Sequence, residues 1–263
     1  GGGAAGLAGV TCWPLDGPRG VFTGQQVAEA IKGEDPHNAR TRMVSLENTA
    51  NSGGGKIWPL EAVQDVARVA HTHGLKTHMD GARLLNAVVA SGIPAATYAA
   101  EMDTLWIDLS KGLGAPVGGL IAGNLDDMVW ARRFKHQLGG AMRQAGIIAA
   151  AGVYALRHNV ERLAEDHANA RLLAEGLATI PGLKLDPSEV ETNIVFFDVQ
   201  QSQRAGVDSI MRALGSEIIE QTPIVPMRVS AINGKDVGDL VRSDSIRREF
   251  ERAARANGRD VPR

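Results

Sequence analysis

One cysteine among 263 residues rules out an internal disulfide, because Cys12 has no second thiol in its own chain to pair with. Charge of one sign is lacking too. The 28 Lys and Arg nearly balance the 30 Asp and Glu, which leaves no basic field for nucleic acid or an anionic membrane and no like-charge block that reads as a tail. No secretory stretch and no apolar run long enough to span a bilayer is present. A reducing, cytoplasmic setting is therefore the expectation. There is no initiator methionine and no polar helix cap: GGGAAGLAGV starts as if in the middle of an element, so an amino-terminal truncation is expected. Internal repeats are missing, as is low-complexity sequence beyond that glycine-rich start.

What is there alternates between strand and helix. TRMVSLE (41–47) reads as a short strand. Pro59 opens a helix in which Leu60, Val63, Ala67 and Ala70 keep helical spacing until Gly74. LKTHMD (75–80), TLWIDLS (104–110) and GGLIAG (118–123) read as further strands, with helices near 83–90 and 95–100. Short, apolar strands separated by helices predict an α/β fold with a mostly parallel sheet covered by helices on both faces. Its ligand is expected beyond the carboxyl ends of the strands. DDMVWARRFKHQ reads as helix, and after Gly139 and Gly140 the stretch 142–180 reads as helix nearly throughout. LKLDP and NIVFFDV (193–199) read as strands and 239–257 as a polar helix, so the carboxyl third is expected to form a small α+β lobe.

Three strand ends carry chemistry. In SLENTANSGGGK the turn after β-like sequence is crowded with Glu47, Asn48, Thr49, Asn51 and Ser52, side chains that bond backbone groups in tight turns. Asp80 and Arg83 lie in DGAR. Lys111 follows Ser110 in LSKGLGAP, with Gly112 and Gly114 expected to let a ligand approach the backbone. A lysine at the end of an apolar strand is expected to be partly desolvated, which favours the neutral amine that Schiff-base chemistry needs. A carboxylate such as Asp80 is what keeps the pyridine nitrogen of pyridoxal phosphate protonated. Arg83 has the fork that binds a carboxylate in bidentate fashion. Each residue also has a plain structural reading: a polar turn, a lysine reaching out of a strand end, a surface arginine.

LENTANSGGGKIWPLE, HMDGARLLNAVVASG, LSKGLGAPVGGLIAG and LGGAMRQAGIIAAAGVYAL resemble, in order and spacing, the low-specificity L-threonine aldolases of the threonine aldolase and β-eliminating lyase family, pyridoxal-phosphate enzymes of fold type I. The resemblance covers about residues 1–200. It implies that Lys111 carries pyridoxal 5'-phosphate as a Schiff base, that Asp80 pairs with its ring nitrogen, and that Ser110 also contacts the cofactor. Arg83 and Asn51 would bind substrate, and Arg143 would reach the cofactor, often from a partner subunit. Arg228 is the nearest match to a second carboxylate-binding arginine. The family usually has histidine in LENTHN, near the substrate's β-hydroxyl, where this chain has Ala50, and lysine where this chain has His136. The implied organisation is a cofactor-binding domain over 1–144, a long connecting helix over 145–180 and a small α+β domain over 181–263, assembled as a homodimer or homotetramer with the active site near the subunit interface. The implied reaction is retro-aldol cleavage of threonine or related β-hydroxy-α-amino acids to glycine and an aldehyde. Another lyase or racemase chemistry on the same cofactor, or an inactive fragment, are the alternatives.

Overall fold

A four-stranded sheet organises the chain, with β1 (Met43–Glu47), β2 (Lys76–Gly81), β3 (Thr104–Asp108) and β4 (Gly119–Gly123) side by side in that order. The first three strands are parallel and β4 runs antiparallel to β3. The helices are α1 (Gly3–Ala8), α2 (Gly24–Ala30), α3 (Leu60–Thr72), α4 (Leu84–Ser91), α5 (Ala95–Ala99), α6 (Leu125–Gln137), α7 (Gly146–His158), α8 (Leu163–Ala178) and α9 (Arg204–Ala213). This is a computed structural model, and it describes residues 3–196, 204–213, 215, 231–232 and 235–236. The chain divides into two units, Gly1–Glu217 and Ile218–Arg263. Within the second, β5 (Ala231–Ile232) pairs antiparallel with β6 (Lys235–Asp236). Among the described residues no helix is long and apolar enough to cross a membrane.

Alternation along the strands sets the two faces of the sheet. Val44, Leu46, Met79 and Leu105 point to one side and meet the stripe Val63, Val66 and Ala70 of α3, together with Phe22, Val27, Trp58 and Tyr98. The helical stripe recurs every three to four residues, as the sequence predicts. The opposite side carries Glu47, Asp80 and Trp106 in one row, since Glu47 is in register with Asp80 and Asp80 with Trp106. A second apolar cluster of Leu109, Leu113, Ala115, Ala155 and Leu163 packs α7 and α8 under the loop that follows β3.

The amino end of the sheet is pinned by Asp103. Its carboxylate accepts from the Thr77 N–H at 2.8 Å, the Thr77 hydroxyl at 3.0 Å, His71 Nε2 at 3.0 Å and Lys76 Nζ at 2.6 Å. Partial burial works to raise this carboxyl, but the bonds from Lys76, Thr77 and His71 outweigh it and hold the group well below the usual carboxylate range. A depressed native value makes the contribution complete above the unfolded value of about 3.8 and progressively lost as pH falls below it. Asp103→Ala is expected to cost about 1–3 kcal/mol, read as a lower unfolding midpoint at pH 7, and the difference from wild type should shrink as the pH is taken below 4. An unchanged midpoint would show that the cluster contributes nothing.

Several expectations need correction. The helix expected over 145–180 is two helices, α7 and α8, separated by a turn over 159–162. The turn contains neither proline nor glycine, and Asn159 departs from helical angles at φ of −108° and ψ of −6°. LKLDP is not a strand: 183–186 is irregular and leads into a 3-10 turn at Pro187–Glu189. Residues 193–196 are irregular as well. The rest of NIVFFDV and the helix expected over 239–257 lie outside the described residues.

Candidate active site

The carboxyl ends of β1, β2 and β3 bring most of the candidate residues to one edge. Asn51, in the turn after β1, anchors its own N–H on Glu47 Oε2 at 3.0 Å and accepts at Oδ1 from Arg83 Nη1 at 3.0 Å. Arg83 stands immediately before α4, so two candidate substrate-binding residues from different strand ends are joined directly. Asp80, at the end of β2, uses Oδ1 to accept from the Ala82 N–H at 3.1 Å. No described residue engages its Oδ2. Two residues earlier on the same face, His78 bonds Thr104 Oγ1 at 2.8 Å. Burial pushes its imidazole down, and the nearby Asp80 opposes that shift.

Lys111 is paired and partly covered. Its side chain keeps 36 % of its exposure, and Nζ forms a 2.6 Å ion pair with Asp108 Oδ2 while standing 5.4 Å from the centroid of the Trp106 ring. Asp108 is the better buried partner, at 13 % exposure. Burial works to raise the Asp108 carboxyl, and bonds from Lys111 and Ser110 outweigh it to leave the group lowered. Ser110 donates its hydroxyl and its N–H to Asp108 Oδ1, each at 2.7 Å. The sequence reading missed Asp108, although DLSK places it three residues before Lys111, the spacing at which the two side chains meet here.

Gly112 also has a packing role. A side chain there would lie 2.7 Å from Leu163 Cδ2, so α8 packs closely against this glycine. Between the ends of β2 and β3 the packing leaves only about 10 Å³, lined in part by Arg83, Asn86, Asp108 and Gly112. That space is too small for a cofactor.

The amide-rich turn is held from behind. Arg19 Nε donates to Gly53 O at 3.0 Å and Arg19 Nη2 to Glu189 O at 2.7 Å. Glu191 accepts from Lys56 Nζ at 2.7 Å, the Ile57 N–H at 3.1 Å and Arg19 Nη1 at 3.1 Å. The Thr192 hydroxyl donates to Gly55 O at 2.9 Å. Gly55 has φ of +73°, and a side chain on it would sit 2.4 Å from Thr192 Oγ1. Within this turn Ala50 is 4 % exposed and belongs to the apolar core; its Cβ lies 3.1 Å from where a side chain on Gly20 would begin. Ala50→His is therefore expected to lower stability by about 1–3 kcal/mol through overpacking and to leave turnover no faster. Thermal unfolding and steady-state rates on the same variant would check this, and a faster, equally stable protein would refute it.

Arg143 stands apart from this cluster. It is exposed and lines a groove of about 600 Å³ beside β4, together with Arg132, Lys135 and His136. Arg228 lies outside the described residues. The residues that are in place fit pyridoxal phosphate by their chemistry. Asp80 offers an unengaged oxygen on the half-open sheet face, Trp106 lies beside it in register, and the amine of Lys111 reaches over that ring.

Residues 1–202 match the sequence model of the beta-eliminating lyase family. Over 225 residues the chain is 42% identical to the low specificity L-threonine aldolase of Escherichia coli (strain K12), covering 85% of this chain and 66% of that protein. It is 40% identical over 174 residues to low-specificity L-threonine aldolase 1 of Arabidopsis thaliana, covering 66% of this chain and 49% of that one. The chain thus spans between about half and two thirds of the length of these curated relatives. Among solved structures, the threonine aldolase of Leishmania major superposes with a TM-score of 0.64 at 21% identity, over 79% of this chain and 61% of that chain. That likeness is one of fold: the mixed sheet flanked by helices, of fold type I, that the sequence predicts.

Proposed function

The chain belongs to the beta-eliminating lyase family, and from that premise we propose that the whole protein cleaves threonine, allo-threonine or related β-hydroxy-α-amino acids to glycine and an aldehyde. The observation that carries the reading is the Arg83–Asn51 pair at the same sheet edge as Asp80 and Lys111. Members of the family use pyridoxal phosphate, which when bound supplies an electron-accepting ring for the bond that breaks at Cα. Asp80 would face the ring nitrogen and favour its protonated form, Lys111 would hold the cofactor through its side-chain amine, and Ser110 would contact the cofactor from the same loop. Arg83, steadied by Asn51, binds the substrate carboxylate, and Arg228 is retained as a second candidate for that task. With Ala50 in the core, the turn supplies no imidazole for the β-hydroxyl proton, and that proton passes to water.

The same reading makes the protein a cytoplasmic homodimer or homotetramer in which Arg143 serves the site of a second copy. Support comes from the exposed Trp130, Phe134, Leu138 and Met142 that flank Arg143 on α6 and the loop after it. Ala50 also favours a second reading, a lyase or racemase without retro-aldol cleavage, because the usual group at the β-hydroxyl is missing. Product analysis with L-threonine separates the two. Equal amounts of glycine and acetaldehyde are expected. A keto acid with ammonia, or inverted amino acid, would overturn the aldolase reading.

A further inference from the structure

The loop that bears Lys111 closes as a turn, with the Gly114 N–H bonded to Lys111 O at 2.9 Å and the Ala115 N–H to Leu109 O at 2.9 Å. Those bonds leave the carbonyls of the two central residues, Gly112 and Leu113, without partners inside the turn. Buried or half-buried carbonyls need a donor from somewhere. Both are met from the break between α7 and α8: Asn159 Nδ2 donates to Leu113 O at 2.7 Å and Arg162 Nη2 to Gly112 O at 3.3 Å. One residue on, the fully buried Leu163 fills the space that a side chain on Gly112 would need. Further along α8, His167 Nε2 bonds Asn86 Nδ2 at 3.1 Å, so the same segment also grips α4, the helix that Arg83 precedes.

We infer that the break between α7 and α8 is a clamp on the lysine loop, in which Asn159 and Arg162 are positioning residues that set where Lys111 stands. Asn159 and Arg162 place two donors on adjacent carbonyls of the loop, and α8 ties the same segment to the helix behind Arg83. Lys111 and Arg83 are thereby referred to one rigid element, although they lie on different strand ends. Asn159 and Arg162 act through the backbone carbonyls at the centre of the turn. The catalytic half of the inference rests on the assignment of Lys111 given above, whereas the clamp itself rests on the geometry.

The test uses the whole protein loaded with pyridoxal phosphate. Asn159→Ala and Asn159→Asp both remove the donor to Leu113 O, and Arg162→Met removes the donor to Gly112 O while keeping the stem. Amide hydrogen exchange at Gly114 and Ala115 should quicken about five- to tenfold in each Asn159 variant, the effect of one lost hydrogen bond. The kcat for threonine should fall by as much as about a hundredfold, the scale of a misplaced reacting group, with KM changed less than about twofold. Asp103→Ala, at the other end of the sheet, is the control: it should lower the unfolding temperature without moving exchange at Gly114 or kcat. Unchanged exchange at Gly114 and Ala115 in both Asn159 variants would overturn the clamp. So would a fall in kcat no larger than that of Asp103→Ala. Faster exchange in the Asn159 variants, with a wild-type protein that yields no glycine, would keep the clamp and refute the aldolase reading instead.

Discussion

Lys111→Ala in the whole protein should bind cofactor without trapping it under borohydride and should lose threonine cleavage by about ten thousandfold or more, the scale on which a deleted covalent catalytic group is felt. The structure sharpens this expectation. Lys56 is tied to Glu191 and Lys76 to Asp103, so neither can substitute for Lys111 without abandoning an ion pair that holds the fold. Reduction of the wild-type protein followed by peptide mapping should place the pyridoxyl group on Lys111 alone. A label on Lys56, Lys76 or Lys135 would refute the assignment, as would substantial turnover by the alanine variant. Lys111 shares Asp108 with Ser110 in this structure.

Asp80→Asn should retain the cofactor but lower kcat about a hundred- to a thousandfold, the loss that follows removal of one preorganised electrostatic group. An amide at position 80 still accepts from the Ala82 N–H, so the turn after β2 survives and the change is confined to charge. Near-normal turnover in that variant would remove Asp80 from the site. A variant that failed to bind cofactor at all would instead assign Asp80 to binding.

Much of the site was legible because strand ends are punctuated by local chemistry. The apolar runs ending in Asp80 and Lys111, and the glycine turn after Glu47, are visible in any short window, and the sheet places them together by its topology. What escaped depends on distant packing. The break at 159–162 contains no proline or glycine, so no local rule marks it. Tertiary bonds to Gly112 and Leu113 give that break its role. The burial of Ala50 escapes for a related reason: it shares a core cluster with Trp58 and Phe22, which no window around the turn reveals. The packing of Gly112 against Leu163, fifty-one residues on in the sequence, is likewise invisible from the loop.

The joint between Gly55 and Thr192 has an evolutionary reading. The two positions lie 137 residues apart, and a side chain at 55 would both collide with the threonine and require a left-handed backbone angle that glycine alone takes without strain. Making room at 192 would not release position 55. Related sequences are therefore expected to keep glycine at 55 whatever stands at 192, although the contact itself links the turn to a segment that a strand-by-strand reading would treat as unrelated.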